Sequence, residues 1–295
     1  REYAAELEKR TGIQCCVFNP FIPILSLRLN NRDHRKILVI DVKVAFTGGI
    51  NLADEYINKK VRFGHWKDSA ILVRGEAAWS MTVMFLTLWD YTRETDTEDY
   101  GSFRPRWETP PKGTGYVQPY TDNPLDGEAV GQSVYLNLIN KARRYVYITT
   151  PYLIVDDSMN TALCIAAKSG VDVRIMTPHI PDKKVVFEVT RAHYDALLEA
   201  GVKIYEYTPG FVHAKNFAVD DKYGTVGTVN MDYRSLFLHF ENGVWLCGDP
   251  TVRSIKADFL ATLEKCKPIT LEQSRALPWW RKAYRAVLRV FAPLM

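Results

Sequence analysis

Apolar and polar positions along this 295-residue chain follow two periods and switch between them repeatedly. Short runs rich in Val, Ile, Tyr and Phe predict strands at 13–18, 34–40, 44–47, 69–73, 117–121, 145–150, 171–176 and 202–207. Apolar residues at helical spacing predict helices at 76–91, 131–141, 159–168 and 183–200. Residues 41–43 read as a turn, and a helix is expected to run from the Gly48-Gly49-Ile50-Asn51 stretch through Tyr56. The 145–150 run is apolar almost throughout, as in a sheet covered on both faces. Strands alternating with helices imply an α/β sandwich on a mixed, mostly parallel sheet. Residues 95–115 are dense in charge, Gly and Pro, and read as a connector.

One pattern occurs twice. His34, Lys36, Asp41, Gly48 and Asn51 recur at identical spacing as His213, Lys215, Asp220, Gly227 and Asn230. On average residue usage, five such positions match by chance on the order of once in a million start points. The chain is therefore a duplicated fold that contributes one histidine from each half. Residues two apart on a strand face the same way, so His34 with Lys36, and His213 with Lys215, can share one site. An imidazole can attack or donate a proton, and a lysine offers fixed positive charge to a phosphate oxygen. Asp41 and Asp220 belong to the motif, but their opposite strand parity points to stabilising a turn or a neighbouring element. Gly48 and Gly49 let backbone approach closely, and Asn51 and Asn230 can donate amide hydrogens. A helix opening after Gly49 would aim its N–H groups at the same anion. No His/Cys/carboxylate run with metal spacing lies alongside, so the lysines are expected to do a cation's work.

At these residues the chain resembles the phospholipase D superfamily, whose signature is the doubled His-Lys-Asp motif. A narrower likeness is to bacterial cardiolipin synthases. It rests on residues 31–36 (NRDHRK), 47–51 (TGGIN), 150–152 (TPY), 205–207 (YEY) and 240–242 (FEN). The resemblance covers nearly the whole chain and implies two homologous phospholipase D-like α-β-α halves with pseudo-twofold symmetry. It implies phosphatidyl transfer between two phosphatidylglycerol molecules, giving cardiolipin and glycerol through a phosphatidyl-histidine. His34 would be the nucleophile and His213 the acid/base, with Lys36, Lys215, Asn51 and Asn230 on the phosphate oxygens. Gly49 and Thr228 fall in the same substrate-binding set, and Asp68 and Glu241 would orient the histidines. Glu241 lies in a largely apolar run, where an unpaired carboxylate would be costly. No cofactor and no metal are implied. His65, His179, His193 and His239 lie outside the motif and receive no catalytic role.

Composition changes the picture little. Lys plus Arg number 38 against 34 for Asp plus Glu, which suits an anionic substrate or surface without indicating nucleic acid. The five cysteines, an odd number without metal spacing, read as free or buried thiols in a reducing compartment. No run of 18 apolar residues occurs.

With the repeat as a ruler, Gly12-Ile13 matches Gly201-Val202. The second half then has an upstream portion that the first lacks, so the first half is expected to be incomplete. By the resemblance, the missing region would hold the membrane anchor and the catalytic part would sit at the cell-membrane surface. Residues 1–112 would be the first half plus linker, 113–270 the second half, and 271–295 a basic amphipathic tail. An apolar, proline-broken loop at 20–29 makes the first half about ten residues longer before its histidine. It reads as an acyl-chain contact or as simple packing. Tyr152, just past a strand end, reads as a site residue or a packed aromatic. In the tail, Trp280, Tyr284, Val287, Leu288 and Phe291 share one helical face and Arg281, Arg285 and Arg289 the other, as at an anionic membrane surface or on a docked helix. Alternatives from the same superfamily are a phospholipase D or a nuclease; a third is a non-catalytic phospholipid-binding scaffold. A nuclease would need a basic, aromatic-interleaved groove, whereas the basic cluster here is in the tail.

Overall fold

A computed structural model describes residues 2–20, 31–107, 109 and 111–292. The elements of the first half are α1 (Glu2–Thr11), β1 (Ile37–Ile40), β2 (Val44–Gly48), β3 (His65–Lys67), β4 (Ala70–Arg74) and α2 (Glu76–Arg93). Then come β5 (Tyr116–Asp122), α3 (Val130–Lys141), β6 (Tyr145–Thr149), α4 (Asp157–Lys168), β7 (Asp172–Pro178), α5 (Lys184–Ala192), α6 (Tyr194–Glu199) and β8 (Lys203–Tyr207). The motif region holds β9 (Gly210–Val212), β10 (Asn216–Val219), β11 (Tyr223–Gly227), α7 (Tyr233–Phe237) and β12 (Glu241–Cys247). The chain closes with α8 (Thr251–Leu263), β13 (Cys266–Ile269), α9 (Leu271–Arg275) and α10 (Trp279–Val290).

An eight-stranded sheet in the order β13-β8-β7-β6-β10-β11-β12-β5 carries the fold, with a three-stranded sheet β1-β2-β4 stacked against it. Period-2 alternation divides its side chains between two cores. On β6, Val146 and Ile148 join Phe217, Leu138 and Leu163 under α3, α4 and α6. Tyr145 and Tyr147 turn the other way, to Phe259 of α8, Met81 of α2 and Val73 of β4.

The sheet is mixed, but mostly antiparallel. Only β6-β7 and β7-β8 run parallel, where α4 and then α5-α6 supply crossovers. The motif hairpin β10-β11 and its neighbours β12 and β5 all pair antiparallel. Three further expectations fail. Residues 13–18 form no strand. Residues 51–59 form turns, because Leu52 and Ile57 stay exposed and a short segment that buries no face is not held helical. The 183–200 helix breaks at the buried His193, which ends α5 and opens α6. Residues 21–29 of the apolar loop lie outside the described residues.

The repeat survives in backbone detail. Gly12 (φ 72°) and Gly201 (φ 97°) each follow a helix in the left-handed conformation. Both motif hairpins turn on two residues of positive φ, Asp41 and Val42 (52° and 58°) and Asp220 and Asp221 (55° and 59°), the type I′ pattern that matches strand twist. Asp220 has a further task. Its carboxylate accepts the backbone N–H groups of Arg143, Arg144 and Tyr145 at 2.7, 2.9 and 2.9 Å, fixing the entry to β6. Asp220→Ala strands these three donors and should lower stability by about 2–3 kcal/mol in urea unfolding. A loss within experimental error would mean that water replaces the carboxylate.

Candidate active site

The two histidines are delivered by the same device used twice. Strands β3 and β9 pair in parallel, Trp66 opposite Phe211 and Lys67 opposite Val212. The next residue on each strand is Asp68 and His213. The His213 N–H donates to the Lys67 carbonyl at 2.7 Å, and His213 Nδ1 lies 2.8 Å from Asp68 Oδ2. In the other half, Asp33 bridges Phe240 in parallel and the His34 N–H donates to the Phe240 carbonyl at 2.9 Å. His34 Nδ1 then lies 2.9 and 3.0 Å from the two Glu241 oxygens. Each histidine is thus held by the other half's carboxylate. An ionised carboxylate only accepts, so each Nδ1 carries the hydrogen and Nε2 is left for chemistry.

Burial differs between the pairs. Glu241 is fully buried, and the His34 side chain is 25% exposed against 8% for His213. Burial alone would raise Glu241; the His34 charge, the nearby His239 ring and hydrogen bonds from His34 and Thr228 hold it far below the usual carboxylate range. Asp68 is also held low, where hydrogen bonding from His213 and the Lys215 charge outweigh burial. Burial, reinforced by Lys215, lowers His213 to about 4.

Both motif lysines fold back onto their own histidine's carbonyl, Lys36 Nζ at 2.5 Å from His34 O and Lys215 Nζ likewise on His213 O. Neither contributes to the cleft wall. They stand behind it between the two carboxylates, and burial lowers Lys36 to about 8 and Lys215 to about 7.

The remaining expected residues divide. Asn51 and Asn230 line a cleft of about 830 Å³ together with both histidines. Asn51 donates to the Tyr56 hydroxyl at 2.6 Å, and the buried Asn230 Oδ1 has no partner among the described residues. Gly49 and Thr228, expected to touch substrate, instead back the carboxylates. A Cβ on Gly49 would stand 2.2 Å from Asp68 Oδ1, and the Thr228 hydroxyl donates to Glu241. Asp41 and Asp220 sit at the hairpin turns, and neither reaches the wall.

Local pattern did not single out several wall residues: Arg32, Lys183, Lys184, Arg234 and His239. The first four make the rim basic. Their only signal was proximity to the motifs or, for the lysine pair, the start of α5. Tyr152 does line the cleft, its hydroxyl donating to Asp182 at 2.6 Å. Among the described residues, His34, His239 and Glu241 also group tightly enough to hold a metal ion.

A family model described as "Cardiolipin synthase, PLD-like domain" matches residues 135–263. The sequence is 38% identical over 301 residues to a cardiolipin synthase of Halalkalibacterium halodurans, covering 100% of this chain and 58% of that relative. It is 39% identical over 300 residues to a cardiolipin synthase of Geobacillus kaustophilus, covering 99% and 58%. The fold is also that of the phosphatidylserine synthase of Haemophilus influenzae, at a TM-score of 0.63, 15% identity, 89% coverage of this chain and 69% of that one. Residues 135–263 thus match a PLD-like domain, and the likeness to cardiolipin synthases runs the whole length of the chain. The chain spans about three fifths of the length of the curated relatives it matches. The doubled motif is thus borne by a mixed α/β fold in which both histidines open on one cleft.

The His213 environment has a measurable consequence. Its folded pKa of about 4 lies below the ordinary 6.5, so between these values the folded protein binds fewer protons than the unfolded chain. Stability should therefore fall as pH drops through 6.5 toward 4. His213→Gln should flatten that slope in urea unfolding; an unchanged slope would show that the ring is solvated.

Proposed function

We propose that this chain is the catalytic part of a cardiolipin synthase, transferring a phosphatidyl group between two phosphatidylglycerol molecules and releasing glycerol. The observation that carries the reading is the pair of reciprocal His–carboxylate contacts opening on one cleft with a basic rim. The whole-chain likeness to cardiolipin synthases supports the choice of lipid.

In this reading His34 Nε2 attacks the phosphorus of the first lipid. The P–O bond to glycerol breaks, and His213 gives its Nε2 proton to the leaving oxygen. His213 then takes the proton from a hydroxyl of the second lipid, whose oxygen attacks phosphorus and frees His34. Two in-line displacements give retention at phosphorus. His34 is the more open ring, which suits an attacking group. Glu241 and Asp68 stabilise the imidazolium formed at each stage, as paired buried carboxylates can. His213 must be protonated when the first bond breaks, and the phosphodiester anion supplies the charge that favours this. Lys36 and Lys215 add positive potential from behind the wall, and Asn51 and Asn230 offer amide hydrogens to the phosphate.

The reverse assignment is the second reading, favoured by the resting state. A neutral His213, its Nδ1 held by Asp68, already offers the Nε2 lone pair of a nucleophile. Trapping the intermediate on labelled phosphatidylglycerol decides between them: an adduct on His34 supports the first order, one on His213 the second. His34→Ala and His213→Ala should each remove at least about 99% of transfer, because the two rings act as a unit. Retention of more than a few per cent by either, with lipid binding intact, would overturn the shared site. Transfer should also survive exhaustive chelation, and loss of activity restored by one divalent ion would sink the metal-free route.

The same reading puts the catalytic cleft at an anionic membrane surface. No helix among the described residues is long and apolar enough to cross a membrane. Helix α10 offers a different contact. Arg281 and Arg285 face inward and pair with Glu188 of α5, Leu288 packs near Ile154 and Val189, and Arg289 stays exposed. Trp279, Trp280, Val287 and Val290 are 80%, 58%, 56% and 76% exposed. The helix is therefore docked through Arg281, Arg285 and Leu288, and both tryptophans, Val287 and Val290 are turned outward. Trp279→Ala with Trp280→Ala should weaken binding to anionic and neutral vesicles alike and leave the melting temperature unchanged. Arg281→Glu with Arg285→Glu should instead lower the melting temperature, since it sets like charges against Glu188. Unchanged vesicle binding in the tryptophan variant would retire the membrane role of α10.

A further inference from the structure

His239 is a wall residue whose chemistry the transfer reaction leaves unused. Its side chain is 11% exposed, and both ring nitrogens are buried with no hydrogen-bond partner among the described residues. A structural histidine buries its nitrogens against donors or acceptors; this one presents them beside a catalytic pair. Its Nδ1 lies 3.8 Å from Glu241 Oε1, and its ring centroid is 5.6 Å from that of His34.

We propose that His34, His239 and Glu241 form a binding site for a borderline transition-metal ion of the zinc type, and that occupying it blocks His34. The donor set is two imidazoles and one carboxylate, which suits such an ion. The spacing suits it too. A tetrahedral zinc ion with bonds of about 2.0–2.1 Å holds its ligand atoms about 3.3–3.4 Å apart. Here one donor of each residue lies within 4.8 Å of the others, and the two contacts to Glu241 are 2.9 Å from His34 and 3.8 Å from His239. Those two edges bracket the tetrahedral value, so small side-chain movements complete the site. Thr228 already orients the carboxylate from behind, as an outer partner of a metal ligand does. The fourth position would open toward the cleft. The ion would take the Glu241 contact from His34 and pin the ring, so the site inhibits instead of assisting.

The second motif offers no counterpart. Asp68 is met by His213, Trp66 Nε1 and the Ser69 N–H, with no further imidazole among these contacts. One ion per chain is therefore expected.

Titrating the purified chain with Zn2+ against a chromophoric chelator should give one equivalent bound with micromolar affinity. His239→Asn should weaken that binding at least tenfold, while His179→Asn, a partly exposed histidine paired to Glu206 elsewhere, should leave it unchanged. Co2+ added to the unsubstituted chain should give visible bands of a tetrahedral nitrogen–oxygen site, which tests the geometry without any variant. Zinc binding indifferent to His239→Asn, or an octahedral cobalt spectrum, would overturn the proposal. Zn2+ should also suppress phosphatidyl transfer, reversibly with EDTA. The binding and spectral measurements stand apart from that assay, so a failure of the transferase reading would not be confused with a failure of the site.

Discussion

The contact on which the rest of the structure depends is the parallel meeting of a histidine-bearing strand from one half with a carboxylate-bearing strand from the other. It occurs at β3 with β9 and again where Asp33 bridges Phe240. In both, the histidine N–H donates to the carbonyl just before the carboxylate residue, so backbone registers the ring before any side chain acts. A histidine and carboxylate held by two such bonds need little reorganisation when charge moves between them. Neither half alone contains a supported histidine. The duplication is therefore functional as well as architectural.

The two copies of this contact differ in their surroundings. Glu241 gathers His34, Thr228 and His239 around one buried carboxylate, whereas Asp68 packs against Gly49, where no larger residue fits. Glu241 is fully buried yet held far below the usual carboxylate range, and the more open histidine sits against it. On the other side, His213 is buried with Lys215 close by, and the neutral ring is preferred. Equivalent sequence positions thus give two histidines of unequal burial against unlike carboxylates.

Burying both motif lysines behind the wall is a related choice. An ammonium removed from water is held by its histidine's carbonyl and by the two carboxylates, and its field reaches the cleft through a medium that screens it weakly. The exposed cations at the rim, Lys183 and Lys184 among them, act differently. They can draw an anion in but are screened by salt.

The local pattern by itself determined a good deal. The doubled spacing identified both histidines, both asparagines and the hairpin turns. Period-2 runs located β2, β4, β6, β7 and β8, because those strands bury the faces their apolar residues mark. Glu241 in an apolar run was legible as a carboxylate needing a partner. Three things were decided only in the tertiary structure. Which histidine meets which carboxylate depends on strand pairing across 145 residues for His213 with Asp68 and 207 for His34 with Glu241, a separation that leaves no trace in local periodicity. The sheet came out mostly antiparallel because the motif strands return as hairpins, which a count of alternating helices cannot register. The helical wheel of α10 showed two faces but not which residues dock, and an acidic residue on a neighbouring helix, Glu188, holds Arg281 and Arg285 inward. His239 lacked any motif for the same reason: its role comes from what stands next to it in space, not along the chain.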